Sequence, residues 1–252
     1  MDLGLKGKHA IVTGGSQGIG KAIARELARE GVDVAIVARK KEQLEATAKE
    51  LSAETKGRVI ALTADVTSRE QVEAMVAQAA KQLGGLHILV NSGSSPGGST
   101  TAIGPIETIV DEDLLRDFNT KYMGALRCAR AVIPLLKEQK WGRIINISGT
   151  NARNAGNLSG GARNTSLVHF TKTLAVQLGR FGITVNAICP GGILTGLTDQ
   201  GNPEAAVKVL EKFQPWPEHG RFPGAAPPAG QSARDIPRNC AAGQQPSANP
   251  QG

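Results

Sequence analysis

An apolar run, a glycine-rich turn and a helix-forming stretch follow one another without a break between residues 9 and 31, and few folds accommodate that order. His9 to Thr13 reads as a buried strand, Gly14 to Gly20 as the turn and Lys21 to Gly31 as a helix. In Thr13-Gly14-Gly15-Ser16-Gln17-Gly18-Ile19-Gly20 the absent side chains let backbone N–H groups approach a pyrophosphate, which then sits on the positive end of the helix. Gly20 lets that helix pack close to the strand. An ordinary tight turn would account for the glycines alone; the strand before and the helix after select a dinucleotide-binding unit.

The next strand, Val34 to Ala38, should end beside an adenosine ribose. An Asp or Glu there would accept a 2'-hydroxyl, whereas a basic residue favours a 2'-phosphate. The strand runs into Arg39, Lys40 and Lys41, so NADP is expected over NAD, with Arg39 the residue of interest and the two lysines a solvated helix start.

With 3% aromatic residues, the core must be filled by Val, Ile, Leu and Ala, as in a parallel sheet covered by helices on both faces. At 252 residues one α/β domain suffices. The net charge of +7 is spread along the chain and few aromatics are present to stack on bases, which argues against nucleic acid and suits an anionic cofactor. Cys128, Cys189 and Cys240 lie far apart without metal or redox spacing, so no metal is expected and a reducing, cytoplasmic setting is. No apolar run reaches membrane-spanning length, and Met1-Asp2-Leu3-Gly4 lacks the form of a signal peptide.

Further along, Lys41 to Thr55 reads as a helix and Arg58 to Ala64 as a strand ending at Asp65-Val66. Thr67-Ser68-Arg69-Glu70 forms a capping box for a helix to Leu83. Leu86 to Val90 is a strand broken at Asn91-Ser92-Gly93, a strand end of the kind where open α/β sheets bind ligands. Asp111 to Leu136 is expected as one long helix with Leu114, Leu115, Phe118, Tyr122, Leu126 and Ala129 at spacings of three and four. Arg143 to Ile147 is a strand, Ala162 to Phe181 a helix, and Thr184 to Ile188 a strand leading into Cys189-Pro190-Gly191-Gly192. This alternation predicts a doubly wound, Rossmann-type parallel sheet, because each crossover must be right-handed.

With these pieces placed, the chain resembles the short-chain dehydrogenase/reductase family over Leu5 to Phe222. Thr13 to Gly20 is similar to the family's T-G-x-x-x-G-x-G turn, Asp65 (followed by Val66) to its adenine-contacting Asp, and Asn91-Ser92-Gly93-Ser94 to a diverged N-N-A-G. Asn119 resembles the family's active-site Asn, and Ile183 to Asn186 with Pro190, Gly191 and Thr195 resembles the segment holding the nicotinamide end. The resemblance implies NAD(P) binding and hydride transfer between nicotinamide and a small carbonyl or alcohol, in a homo-oligomer (dimer or tetramer) if the C-terminus permits.

In the family a Ser orients the carbonyl, and a Tyr-x-x-x-Lys on the next helix supplies the proton. Residues four apart share a helix face, so the Lys can lower the Tyr pKa while holding the ribose. Counting back from Thr171-Lys172-Thr173-Leu174-Ala175, the Tyr position falls on Gly160 and the Lys position on Asn164. Neither can move a proton. The lone tyrosine, Tyr122, sits three residues from Asn119, where a packed or interface role is the ordinary reading. Ser148 is a partial match, one position before Gly149, where the family's Ser aligns; it could face the site or cap a turn. Arg163 suits holding an anion, and His169 reads as an inward structural histidine. Two functions remain open: an NADP-preferring oxidoreductase using Asn119 and Ser148, or an NADP-binding pseudoenzyme acting as sensor or scaffold.

From Gly220 the composition turns to Pro, Gly and Ala. The expectation is a domain over 1–222 and a tail over 223–252, read either as naturally disordered or as a shifted reading frame near Phe222, with the last strand of the sheet then missing.

Overall fold

The computed structural model describes residues 2–94, 98–191 and 193. Thr195 and the segment from Gly220 onward lie outside these residues. Six parallel strands, β1 (His9–Thr13), β2 (Asp33–Ala38), β3 (Val59–Thr63), β4 (Ile88–Asn91), β5 (Gly142–Ile147) and β6 (Ile183–Ile188), lie in the order β3-β2-β1-β4-β5-β6. The order reverses between β1 and β4, which places the ligand crevice outside their carboxyl ends.

Strand periodicity sorts the core into two layers. Ala10 and Val12 of β1 join Val34, Ile36, Ile88 and Val90 on the face covered by α1 (Gly18–Arg29) and α2 (Lys41–Thr55). Ile11 points the other way and joins Ala35, Val37, Leu89 and Ile144 beneath α3 (Arg69–Leu83), α5 (Gly124–Glu138) and α6 (Leu158–Leu178). Both faces of β1, β2 and β4 are buried, so these strands read as continuous apolar runs rather than alternating ones.

Three helix boundaries differ from the sequence expectation, each for a local reason. The Asp65 carboxylate takes both the Thr67 N–H, at 2.9 Å, and its hydroxyl, at 2.8 Å; Ser68, not Thr67, is left as the N-cap of α3 and accepts from the Gln71 N–H. Asn157 caps α6 by accepting from the Gly160 N–H at 2.6 Å, so that helix starts four residues earlier, at Leu158. The expected single helix from Asp111 to Leu136 is interrupted: α4 (Asp111–Phe118) passes into a π-helical turn, Asn119–Met123, before α5 resumes. Such turns accommodate an extra residue and are frequent at functional sites.

Candidate functional site

The crevice at the strand ends begins with the glycine turn. Gly14, at φ 66°, donates its N–H to the Val37 carbonyl at 2.8 Å, and a Cβ there would stand 2.7 Å from the Ser92 carbonyl oxygen. A Cβ on Gly20 would overlap the Gly14 carbonyl oxygen, so α1 can seat against the turn only where no side chain exists. Gln17 precedes α1 in extended conformation, its side chain does not cap the helix, and no acidic residue occupies the first turn. The first amides of α1 therefore keep their partial positive charge for an anion. Around this cradle the Ser16 carbonyl accepts from Thr47, the Gln17 side chain accepts from Gln43, and Ile19 packs on the α1/α2 core. These features fit a pyrophosphate of a dinucleotide held by Gly14, Ser16, Gln17, Gly18, Ile19 and Gly20.

The other expected binding residues ring the same edge. The Thr13 hydroxyl accepts from the Ser92 and Gly93 amides, both at 3.0 Å, fastening the end of β4 to the end of β1. Asn91 donates to Asn146 at 2.8 Å, while its own buried Oδ1 has no hydrogen-bond partner. Arg39 stands exposed after β2, outside the ion pairs of the described residues. Asp65 is occupied by Thr67, and Val66 packs against Gly124, whose Cβ would lie 2.8 Å from it. The Pro190 carbonyl accepts from the Thr150 amide, drawing the segment after β6, with Gly191, beside the loop after β5.

The expected catalytic residues are not brought together. Asn119 turns aside, and its Oδ1 accepts from Arg127 at 2.8 Å. Ser148 is buried, with its hydroxyl donated to the Asn164 carbonyl at 3.0 Å and its N–H to Ile188. At Gly149 a Cβ would lie 2.7 Å from the Asn164 amide nitrogen, so Asn164 fills the place of a serine side chain. At Gly160 a Cβ would lie 2.8 Å from the capping oxygen of Asn157. Tyr122 stacks on Phe118 and meets Phe170 edge-on at 5.7 Å. His169 is exposed rather than inward, since it follows Leu167 and precedes Thr171, which take the buried stripe of α6.

Two charged residues that sequence reasoning passed over point inward instead. The Lys121 side chain, in the π-helical turn, donates to the Ser148 carbonyl at 2.8 Å, with the residue only 8% exposed. Burial pulls its ammonium down to about 7, the Arg163 charge acts in the same direction, and Cys189 opposes them. Asp117 accepts from the Ser99 amide and hydroxyl and from Ser159, and lies 4.0 Å from the Arg163 guanidinium. Burial pushes the Asp117 carboxyl up, but the Ser99 and Ser159 hydrogen bonds and the Arg163 charge together hold it below the usual carboxylate range. The signal was present in spacing: Asp117, Lys121, Ala125, Cys128, Val132 and Leu136 form the buried stripe of this helix. Among the described residues no His/Cys/Asp/Glu cluster could hold a metal ion, and no helix is long and apolar enough to cross a membrane.

A doubly wound sheet with this turn at its switch point defines an α/β protein of the dinucleotide-binding class. Residues 8–206 match the short chain dehydrogenase family model. The 3-oxoacyl-acyl-carrier-protein reductase of Staphylococcus aureus is 32% identical over 209 residues, covering 82% of either protein. The L-sorbose reductase of Gluconobacter frateurii, solved with NADPH and L-sorbose, superposes with a TM-score of 0.74 at 32% identity, over 84% of this chain and 82% of that one. An actinorhodin polyketide ketoreductase variant solved with NADPH superposes with a TM-score of 0.71 at 35% identity, over 83% and 77%. The chain belongs to the short-chain dehydrogenase/reductase family.

Proposed function

We propose that this protein is an NADP-preferring oxidoreductase that interconverts a small carbonyl compound and its alcohol. The observation that carries the reading is the cradle itself: a side chain at Gly14 or Gly20 would meet the Ser92 or Gly14 carbonyl oxygen, Gly18 takes φ 55°, and the α1 amides behind the turn are uncapped. Arg39 supports a 2'-phosphate, being exposed at the end of β2 and outside the ion pairs of the described residues. NADPH in the similar L-sorbose reductase and ketoreductase structures agrees with this choice. When bound, the nicotinamide would supply the hydride. The chain's own part is to orient the carbonyl at the strand ends and to provide the proton.

A second reading, a pseudoenzyme that binds NADP as sensor or scaffold, is favoured by Gly160 and Asn164. The tyrosine and lysine positions are vacant of chemistry, and Asn157 closes the space over Gly160. Titrating the protein with NADPH and with NADH by nicotinamide fluorescence, then following a panel of ketones and aldehydes at the nicotinamide absorbance, tests both. Tighter binding of NADPH with turnover supports the enzyme; binding without turnover supports the pseudoenzyme; indifference to both cofactors removes both readings.

A further inference from the structure

We propose that Lys121 is the proton donor and acceptor of this site, delivered from the π-helical turn to the edge of the sheet where α6 carries Gly160 and Asn164 in place of a tyrosine and a lysine. The inference rests on the oxidoreductase reading above and names the residue that would complete it.

Ser148, whose carbonyl oxygen receives the Lys121 ammonium at 2.8 Å, is the first residue beyond β5, and its hydroxyl reaches the Asn164 carbonyl on α6. The Lys121 nitrogen thus stands where β5 and α6 meet, on the residue that precedes Gly149. An ammonium has three N–H bonds to give. Among the described residues only the Ser148 carbonyl receives one, and no carboxylate lies within ion-pair distance of Lys121. Asp117, one turn back, is engaged by Arg163, Ser99 and Ser159. On the facing helix the Asn164 Oδ1 is buried without a partner. A nine-tenths buried lysine with two N–H directions not taken up by the described residues, joined through Ser148 to a residue whose buried amide oxygen has no partner, is an arrangement completed by a polar ligand.

The surrounding charges suit proton exchange. Burial first, and then Arg163 on α6, disfavour the ammonium, Cys189 after β6 favours it, and Asp117 on α4 is neutralised by Arg163, so ammonium and amine are both accessible near neutral pH. An acid–base group works best when its pKa lies near the working pH. In the reducing direction the proton leaves the Lys121 ammonium, which becomes an amine, and forms the O–H bond. The carbonyl π bond breaks as a hydride from the reduced nicotinamide, which is thereby oxidised, forms the C–H bond. Water returns the proton to the amine.

The test compares the parent with Lys121→Arg and Lys121→Met. Arg keeps the charge but does not release a proton at neutral pH. Lysines are converted to ¹³C-dimethyl-lysines and titrated by NMR, NADPH affinity is read by fluorescence, and rates with the carbonyl panel are measured across pH. The expected result is one methyl resonance titrating near neutral pH in the parent and absent from the Arg variant. NADPH binding should be retained in both variants, and kcat should fall by about 10²- to 10⁴-fold with loss of the neutral-pH break in the profile. NADPH binding without a lysine titrating near neutral pH, an Arg variant as fast as the parent, or a parent that binds NADPH but turns over nothing would each overturn the proposal while leaving cofactor binding intact. A parent that ignores NADPH would defeat the underlying reading, and the proposal with it.

Discussion

Replacing Lys121 by Met should make the protein more stable at neutral pH, and the amount can be worked from the site. Burial lowers the lysine from its ordinary 10.5 to about 7, a gap worth roughly 5 kcal/mol between the two protonation states. Because the folded pKa lies below the unfolded one, the unfolded chain binds the proton more tightly between those values, and stability rises with pH across that window. At about pH 7 the fold still forgoes roughly 4 kcal/mol of this, and between about pH 7 and pH 9 it should regain about 2 kcal/mol. Methionine removes the charge but also the donor to the Ser148 carbonyl, which costs about 1–3 kcal/mol when that acceptor is left unmet. The net gain is about 1–3 kcal/mol at neutral pH, several degrees in Tm for a domain of this size.

Urea unfolding followed by circular dichroism at several pH values is the assay. The parent should grow more stable from about pH 7 to pH 9, whereas the Met variant should lose most of that slope. The window avoids two other shifted groups. His87, lowered chiefly by burial, weakens the fold only as pH drops below its ordinary 6.5. Cys128, pushed up to about 12 by burial, weakens it only as pH rises past its ordinary 9.0. A Met variant that is less stable than the parent, or that keeps the same slope, would show that Lys121 is not a buried, proton-shedding amine.

Three further outcomes follow from the same geometry. Gly20→Ala places a methyl group on the Gly14 carbonyl oxygen and should weaken NADPH binding by about 10- to 100-fold, equivalent to the ~1–3 kcal/mol of an overpacked contact, while Gly161→Ala, which meets nothing within 4 Å in α6, should stabilise the protein by about 0.5–1 kcal/mol; fluorescence titration and thermal melts check the pair. Arg39→Ser should cost about 1.5–3 kcal/mol of NADPH binding and leave NADH binding nearly unchanged, and equal loss for both cofactors would refute the 2'-phosphate contact. The double change Gly160→Tyr with Asn164→Lys should not raise the turnover of any carbonyl, because the new Cβ meets the Asn157 oxygen that caps α6 and disturbing that cap costs about 1 kcal/mol; a tenfold rate increase in the absorbance assay would contradict this.

How far the fold could be read from the chain depended on periodicity. Ala10-Ile11-Val12 and Val34 to Val37 are apolar without alternation, which in a chain poor in aromatics points to strands buried on both faces, and the Gly14–Gly20 turn states its own geometry. The long helix was harder. Apolar periodicity selects Leu115, Phe118 and Tyr122, yet Leu115 is 63% exposed and the other two stack sideways on one another. The inward stripe starts with Asp117 and Lys121, which no hydrophobic count can score. The π-helical turn adds a residue to the repeat, so Asn119, the residue a motif comparison selects, faces Arg127 rather than the strand ends. Motif spacing measures distance along the chain; a single extra residue in a helix turns the side chain to another side.

The replacements around α6 behave as a coupled set rather than as separate losses. Without a serine side chain at Gly149, the Asn164 amide can occupy the space beside that Cα; a lysine at 164 would have to leave it. Without a tyrosine at Gly160, Asn157 can fold over the helix start and cap it, and Asn151 fills the adjoining space. Once those asparagines are in place, reinstating one side chain displaces a neighbour, so effects at 149, 160 and 164 should be non-additive. Lys121 stands outside this set. Its burial opposes folding at neutral pH, nothing in the described residues neutralises it with a carboxylate, and an uncharged side chain could fill its place. A charge kept inside a fold against its own stability, beside the strand ends, is accounted for by use of the charge itself, and the proton transfer proposed for Lys121 is such a use.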